Sequence, residues 1–361
     1  MKKNIFCLVG FGNHAESKIL PVLEHQQFKI AGIVTKKNIP KFKYNKYKSL
    51  KSALNDVPKK TIFILCSPPN VHFRQAKEIL ENKFSLIIEK PIFIYTQELD
   101  QIIKKFNGKK FFFTESLMYN YSKQYKEFKK IWRKNKKLIK KIKIYFTIPS
   151  FPEKSFRNNE TSFPINLYDI GCYPLNLIHE LGLNIKLENI KIINYQDRKK
   201  ELFEIRFVNN NLIVEIKFGI SRSYKNFVSF DLQNKESYQF KPFFYGRPGK
   251  RIIKYKKGEK VEIKKIDESN SFETLFKQQP SVWINSQEKR NKVVRKKLTD
   301  LEYIWKIYKK YVYSVLYVCV ICPRPGLVLS GYGLWSRCGR RFSTLTVDGV
   351  GGASCDRKPI T

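Results

Sequence analysis

The sequence predicts an α/β fold: an N-terminal Rossmann-type, doubly wound parallel sheet, then a C-terminal α+β domain with a mostly antiparallel, open-faced sheet. Three observations carry this. Residues 5–113 alternate short apolar runs with segments of helical spacing, as parallel strands covered on both faces require. Gly10 and Gly12 separate the first strand from the first helix. Beyond about Leu138, apolar and polar residues alternate, as in a sheet with one wet face.

The first half reads as strands over Ile5–Val9, Lys29–Val34, Thr61–Cys66, Leu86–Ile88 and Lys110–Phe113. Helical spacing falls at Ala15–Glu24, Val71–Asn82 and Gln97–Phe106. The lysine-rich run Lys129–Lys143 holds Ile131 and Trp132 at helical spacing and reads as a solvated helix face. A helix near Asn166–Leu181 precedes the second sheet. Its clearest strands, Leu202–Phe207 and Leu212–Phe218, flank the hairpin turn Asn209–Asn211. Phe227–Leu232, Ser237–Phe240, Arg251–Tyr255 and Val261–Lys264 continue the series. The expected division is 1–117, a dinucleotide-binding domain; 118–311, a substrate and oligomerisation domain; and 312–361, an atypical tail. After Tyr311 the only lysine is Lys358, and Gly, Val, Arg, Cys and Ser take over. A frameshifted or fused tail and a genuine appended segment both fit that break.

The 361 residues are 42% hydrophobic, enough to bury a core in each domain and to exclude global disorder. No apolar run is long enough to span a bilayer. Met1-Lys2-Lys3 followed by Ile5–Val9 imitates a signal peptide, but the apolar stretch is too short and lacks a cleavage pattern. Cys7, Cys66 and Cys172 sit singly in apolar surroundings, which suits a reducing cytoplasm. Cys319 and Cys322, with Cys338 and Cys355, lack zinc-ribbon spacing and have no histidine beside them, so no metal is expected. The net charge of +39 invites a nucleic-acid partner. The excess is lysine, spread along the chain with abundant Asn, Ile, Phe and Tyr; these residue types share A/T-rich codons. Coding bias therefore accounts for it, and no nucleic-acid partner is expected.

Gly10-Phe11-Gly12-Asn13-His14-Ala15 follows a strand and opens a helix, the context of a dinucleotide-binding turn. Gly10 permits the tight turn, Gly12 lets backbone approach a pyrophosphate, and Ala15 lets helix pack on strand. Free N–H groups at the helix start face the anion. The next strand ends in Thr35-Lys36-Lys37, where a carboxylate would favour NAD. A hydroxyl and two cations suit a 2′-phosphate, so NADP is preferred over NAD.

Three further segments complete a pattern: Cys66-Ser67-Pro68-Pro69-Asn70-Val71-His72 with Ala76 and Leu80, Glu89-Lys90-Pro91, and Asp169-Ile170-Gly171-Cys172-Tyr173-Pro174. In this order they resemble the Gfo/Idh/MocA oxidoreductases over about residues 3–311. Glu115-Ser116-Leu117-Met118-Tyr119 is similar to a segment of the subgroup holding glucose–fructose oxidoreductase and dimeric dihydrodiol dehydrogenase, and Tyr173 points the same way. The resemblance implies NAD(P)-dependent hydride transfer at a carbinol carbon of a sugar, sugar derivative or cyclic diol. It implies that Ser67, Pro68, Asn70 and His72 border the cofactor, that Glu89 contacts its ribose, and that Lys90 lies between nicotinamide and substrate. A homo-oligomer formed through the open sheet face is expected on the same ground.

The chemistry fits these residue types. Taking hydride from an alcohol carbon requires losing the hydroxyl proton, so an acid/base and a cation both help. Tyr173 can exchange that proton; Lys90 can hold the oxygen and lower the phenol's pKa. Asp169, Tyr173 and Asn176 fall on one helix face, and Gly171 leaves room for a sugar ring. Each also has a plainer reading: Lys90 as surface lysine, Tyr173 as core aromatic, Asp169 as helix cap. His179, among Leu177, Ile178 and Leu181, reads as packed. Two departures from the subgroup stand out. Asn120 replaces its usual arginine, and Phe163-Pro164-Ile165 replaces a glycine-rich stretch. Asn120 and Arg157 complete the substrate-side candidates. A family member that binds cofactor without turnover is the alternative function.

Overall fold

The computed structural model describes residues 3–38, 43–149, 165–185, 190–194 and 201–321. Two sheets organise it. The first contains β1 (Ile5–Val9), β2 (Lys29–Val34), β3 (Lys46–Tyr47), β4 (Thr61–Leu65), β5 (Ser85–Glu89) and β6 (Phe113–Ser116). Their order is β3-β2-β1-β4-β5-β6, and every pairing is parallel. β1 and β4 are neighbours although β2 and β3 lie between them in sequence, so the winding reverses there. A crevice outside the C-terminal strand ends at such a point is where dinucleotides bind in these sheets.

The helices of this half are α1 (Leu20–His25), α2 (Leu50–Asp56), α3 (His72–Glu81) and α4 (Thr96–Phe106). A π-helical turn over Ala15–Ile19 leads into α1. β4 is buried at every position, which is why it reads as an unbroken apolar run. β3 and α2 carry no strong sequence signal; the Ser49 side chain caps α2 by accepting from the Ser52 N–H. The last strand starts three residues later than Lys110–Phe113 suggests. Glu115 and Ser116 are polar yet belong to the buried strand, which hides its end.

The second half opens with α5 (Lys123–Asn135), then β7 (Ile139–Ile148) and α6 (Ile165–Glu180). The run Lys129–Lys143 is therefore helix only to Asn135. From Ile139 the chain is a strand, with Ile139, Ile142 and Ile144 inward and lysines between them. Dense lysine masked this change of period. β8 (Ile190–Asn194), β9 (Glu201–Asn209), β10 (Leu212–Ile220), β11 (Lys225–Leu232), β12 (Glu236–Lys241), β13 (Gly249–Lys257) and β14 (Lys260–Glu268) complete the sheet. Its order is β14-β13-β12-β11-β7-β10-β9-β8, antiparallel except for β7 with β10. The predicted hairpin forms: Asn209 faces Leu212, and Asn210 and Asn211 both take positive φ, as a two-residue turn demands.

Three helices follow: α7 (Ser271–Phe276), α8 (Pro280–Asn285) and α9 (Gln287–Ile321). They return to the first domain. Asn4 donates to the carbonyls of Phe276 and Gln278 at 3.0 and 3.1 Å, and Phe6 packs on Phe276. α9 packs against α4, α6 and β6, and its backbone continues helically past Tyr311 to Ile321. The rest of the tail, including Cys322, Cys338 and Cys355, and the segment holding Arg157 and Phe163-Pro164, lie outside the described residues. Among the described residues no His/Cys/Asp/Glu cluster fits a metal, and no helix is long and apolar enough to cross a membrane.

Candidate active site

The site lies at the C-terminal strand ends. Gly10 ends β1 with φ +89°, and a Cβ there would sit 2.8 Å from the Ser67 backbone nitrogen. Glycine is thus required twice, by its dihedral angle and by the close passage of the turn after β4. At Gly12 an added Cβ meets nothing within 4 Å. Gly12 and Asn13 are exposed, Phe11 and Ala15 buried, and Gly12 O accepts from Glu16 N at the start of the helix. The turn can therefore cradle an anion from the open side. Thr35 is buried and its hydroxyl accepts from Lys37 N at 3.1 Å; Lys36 and Lys37 are exposed. Lys37 Nζ lies 3.6 Å from Glu16 and 5.9 Å from the Phe11 ring centroid, beside the glycine turn.

Ser67 donates to Gln75 at 2.6 Å, while Pro68 and Asn70 are exposed on the turn before α3. His72 is fully buried. Its Nε2 is 2.8 Å from Ser67 O, and its Nδ1 is 3.0 and 3.2 Å from Pro91 O and Ile92 O. It ties the turn after β4 to the turn after β5. Burial pulls its pKa down, against the pull of these carbonyls and Glu89, so neutral imidazole is favoured.

Glu89 is buried at the end of β5. His14 Nε2 lies 3.4 Å from its Oε2, and its Oε1 has no hydrogen-bond partner among the described residues. Burial would push this carboxyl up, but His14, Ser116 and Lys90 outweigh it and hold it below the ordinary value. A buried, ionised carboxylate with one free oxygen needs a donor, and a ribose hydroxyl is one. Together with the Gly10–Gly12 cradle, it fits a dinucleotide.

Lys90 reaches across to α6. Its ammonium donates to Asp169 Oδ1 at 2.7 Å and to Asp169 O at 3.1 Å. Both side chains are only about a tenth exposed, 12% and 10%. The surface-lysine and simple-cap readings are thereby excluded for this pair. The ammonium also stands 5.2 Å from the Tyr173 ring centroid. Tyr173 is packed by Tyr119, Phe146 and Phe244, and its hydroxyl donates to Met118 Sδ at 3.5 Å. Burial pushes its pKa well above the ordinary tyrosine value, with Cys172, Asp169, Glu89 and Glu115 adding to the push. The expected lowering by Lys90 is not found. The cation faces the ring rather than the oxygen, and burial dominates.

Other expectations are also redistributed. Asn176 is buried and donates to the Tyr119 hydroxyl at 3.0 Å. Asn176 and Asn120 both line a small cavity of ≈ 40 Å³, with Glu115, Glu180 and Arg290; neither Lys90 nor Asp169 lines it. A Cβ on Gly171 would meet the Phe218 ring at 2.6 Å, so a core ring fills the space expected for a sugar. His179 pairs with Asp300 on α9 at 2.5 Å. Phe272, beside His14, and Lys297 belong to the neighbourhood without having been singled out. Phe272 and Lys297 come from more than 250 residues beyond the glycine turn, and nothing local marks them.

The fold joins a parallel sheet of the dinucleotide-binding kind to a second, mostly antiparallel sheet. Residues 5–117 match the sequence model described as "Oxidoreductase family, NAD-binding Rossmann fold". That model is of the NAD-binding domain of the Gfo/Idh/MocA oxidoreductases, and the match covers this N-terminal segment alone. No curated protein matches the chain in sequence. Solved structures do match in fold. KijD10, a 3-ketoreductase from Actinomadura kijaniata in complex with NADP and TDP-benzene, has TM-score 0.68 and 13% identity, covering 83% of this chain and 96% of that one. GnnA, the UDP-N-acetylglucosamine 3-dehydrogenase from Acidithiobacillus ferrooxidans, has TM-score 0.61 and 13% identity over 84% and 97%. The probable oxidoreductase yhhX has TM-score 0.65 and 15% identity over 83% and 96%.

Proposed function

We propose that the protein is an NAD(P)-dependent oxidoreductase, NADP-preferring, that transfers hydride between the cofactor and a carbinol carbon of a sugar or sugar derivative. The observation that carries this is Lys90. It is clamped by Asp169 of the second half, beside Tyr173 and next to Glu89, whose Oε1 has no hydrogen-bond partner among the described residues. Gly10, Gly12, Ser67 and Glu89 would hold the dinucleotide, with Lys36 and Lys37 toward a 2′-phosphate. When bound, the nicotinamide supplies the hydride acceptor or donor.

The remaining chemistry belongs to the chain. Asp169 fixes the Lys90 ammonium, whose charge favours a developing alkoxide. Tyr173, kept protonated by burial, serves as proton donor to a carbonyl oxygen once its hydroxyl leaves the Met118 sulfur. The fold neighbours described as a 3-ketoreductase and a UDP-N-acetylglucosamine 3-dehydrogenase make nucleotide-activated 3-keto sugars the first substrates to try. The test is a cofactor-coupled screen of sugars, nucleotide sugars and diols with the full chain. Turnover with NADP above NAD is expected, and Lys90→Ala should lower kcat by roughly 10²-fold or more while cofactor still binds. Undiminished turnover in Lys90→Ala would overturn the assignment.

A further inference from the structure

Lys90 can act only if the turn that carries it stays in place, and one buried carboxylate holds that turn. Glu115, on β6, is 6% exposed. Its Oε1 accepts from Ile92 N at 3.0 Å, two residues beyond Lys90. Its Oε2 accepts from the ammonium of Lys297 on α9, a residue with no exposure at all. His72 meets the Pro91 and Ile92 carbonyls from the other side.

Stability alone does not explain two full charges at this depth. Desolvating them costs several kcal/mol per ion, and well-packed apolar replacements are often neutral or better. A carboxylate does what an apolar side chain cannot: it accepts a hydrogen bond from the Ile92 amide. Lys297 makes that carboxylate tolerable. Both charges also reach α6, where Glu115 adds to the upward push on Tyr173 and Lys297 opposes the one on Cys172.

We infer that Glu115 and Lys297 form a positioning pair: Glu115 fixes the Lys90–Ile92 turn through the Ile92 amide, and Lys297, from the C-terminal helix, neutralises it. The inference rests on the oxidoreductase reading for what Lys90 does, and on geometry alone for how the turn is held.

Two double variants of the full chain separate positioning from packing. Glu115→Gln with Lys297→Met removes both charges and keeps an acceptor for Ile92. Glu115→Leu with Lys297→Met removes both charges and the acceptor. With matched melting temperatures and cofactor KM, kcat of the Gln/Met protein should exceed that of the Leu/Met protein by about tenfold, the worth of one such hydrogen bond. Equal kcat in the two folded proteins overturns the inference. Hydrogen exchange at the Ile92 amide gives a reading independent of substrate: strong protection is expected in the wild-type chain and in Gln/Met, and its loss in Leu/Met. An unprotected Ile92 amide in the wild-type chain also overturns it. Should the wild-type chain turn over no substrate, the functional reading fails while the exchange comparison still decides the positioning.

Discussion

Gly10 and Gly12 are glycine for different reasons, and substitution separates them. Gly10→Ala must place a Cβ at φ +89° and against the Ser67 backbone, so a loss of at least about 1–2 kcal/mol is expected in chemical denaturation. Gly12→Ala meets nothing within 4 Å and should leave stability unchanged, yet weaken cofactor binding about tenfold or more in a fluorescence titration. Equal cofactor affinity in Gly12→Ala would remove the pyrophosphate from this turn. Tyr173 makes a second residue-level prediction. Its folded pKa lies above the unfolded value of 10.0, so its contribution to stability is complete below pH 10.0 and is lost as pH rises beyond it. Tyr173→Phe should therefore flatten the alkaline fall in stability. An equally steep fall would mean that this phenol titrates freely. The sequence made much of this site legible. Gly10 and Glu89 stand at the C-terminal strand ends, and Lys90 meets Asp169 although the two lie 79 positions apart. It did not tell on which side of Tyr173 the cation would stand, nor that Asn176 would be spent on Tyr119. Helical spacing fixes a face but not which neighbour fills it.

At the level of elements, period and burial decided what could be read. β1 and the middles of β4 and β5 are apolar and buried on both sides, and their positions follow from the sequence within a residue or so. β7 escaped because lysines fill its alternate positions and merge with those of α5. α7–α9 escaped because they pack on partners distant in sequence. The start of α5 shows such a long-range tie. Its first N–H groups, Lys123 N and Gln124 N, donate to the two oxygens of Glu268 at 2.8 and 3.1 Å, and Tyr125 N donates to Ser122 Oγ at 3.0 Å. Glu268 comes from the end of β14 and sits where the helix dipole favours a negative charge. Glu268→Ala should cost about 2 kcal/mol in denaturant unfolding, because two charged caps are lost at a buried helix end. A change below about 0.5 kcal/mol would show that water caps the helix equally well.

The whole molecule must fold while carrying 70 basic against 31 acidic side chains. Many of its ion pairs are exposed, such as Lys292–Glu288 and Lys260–Glu262, and pairs of that kind contribute little. The buried pairs Lys90–Asp169 and Lys297–Glu115 lie out of reach of salt. With basic side chains more than twice as numerous as acidic ones, like-charged pairs outnumber opposite ones over the molecule as a whole. Self-repulsion of the folded state should then exceed its surface attraction. At about 10 mM salt the screening length is roughly 30 Å, so lysines on opposite sides of a domain still repel; at about 150 mM it is roughly 8 Å. The melting temperature should therefore rise across this interval, mostly at its low-salt end, in sodium chloride as in potassium chloride. A fall in both salts would show that the surface pairs form a network stronger than the net charge opposing them. A rise only with polyvalent anions would point to a bound polyanion, and with it to the nucleic-acid role that the lysine distribution argues against.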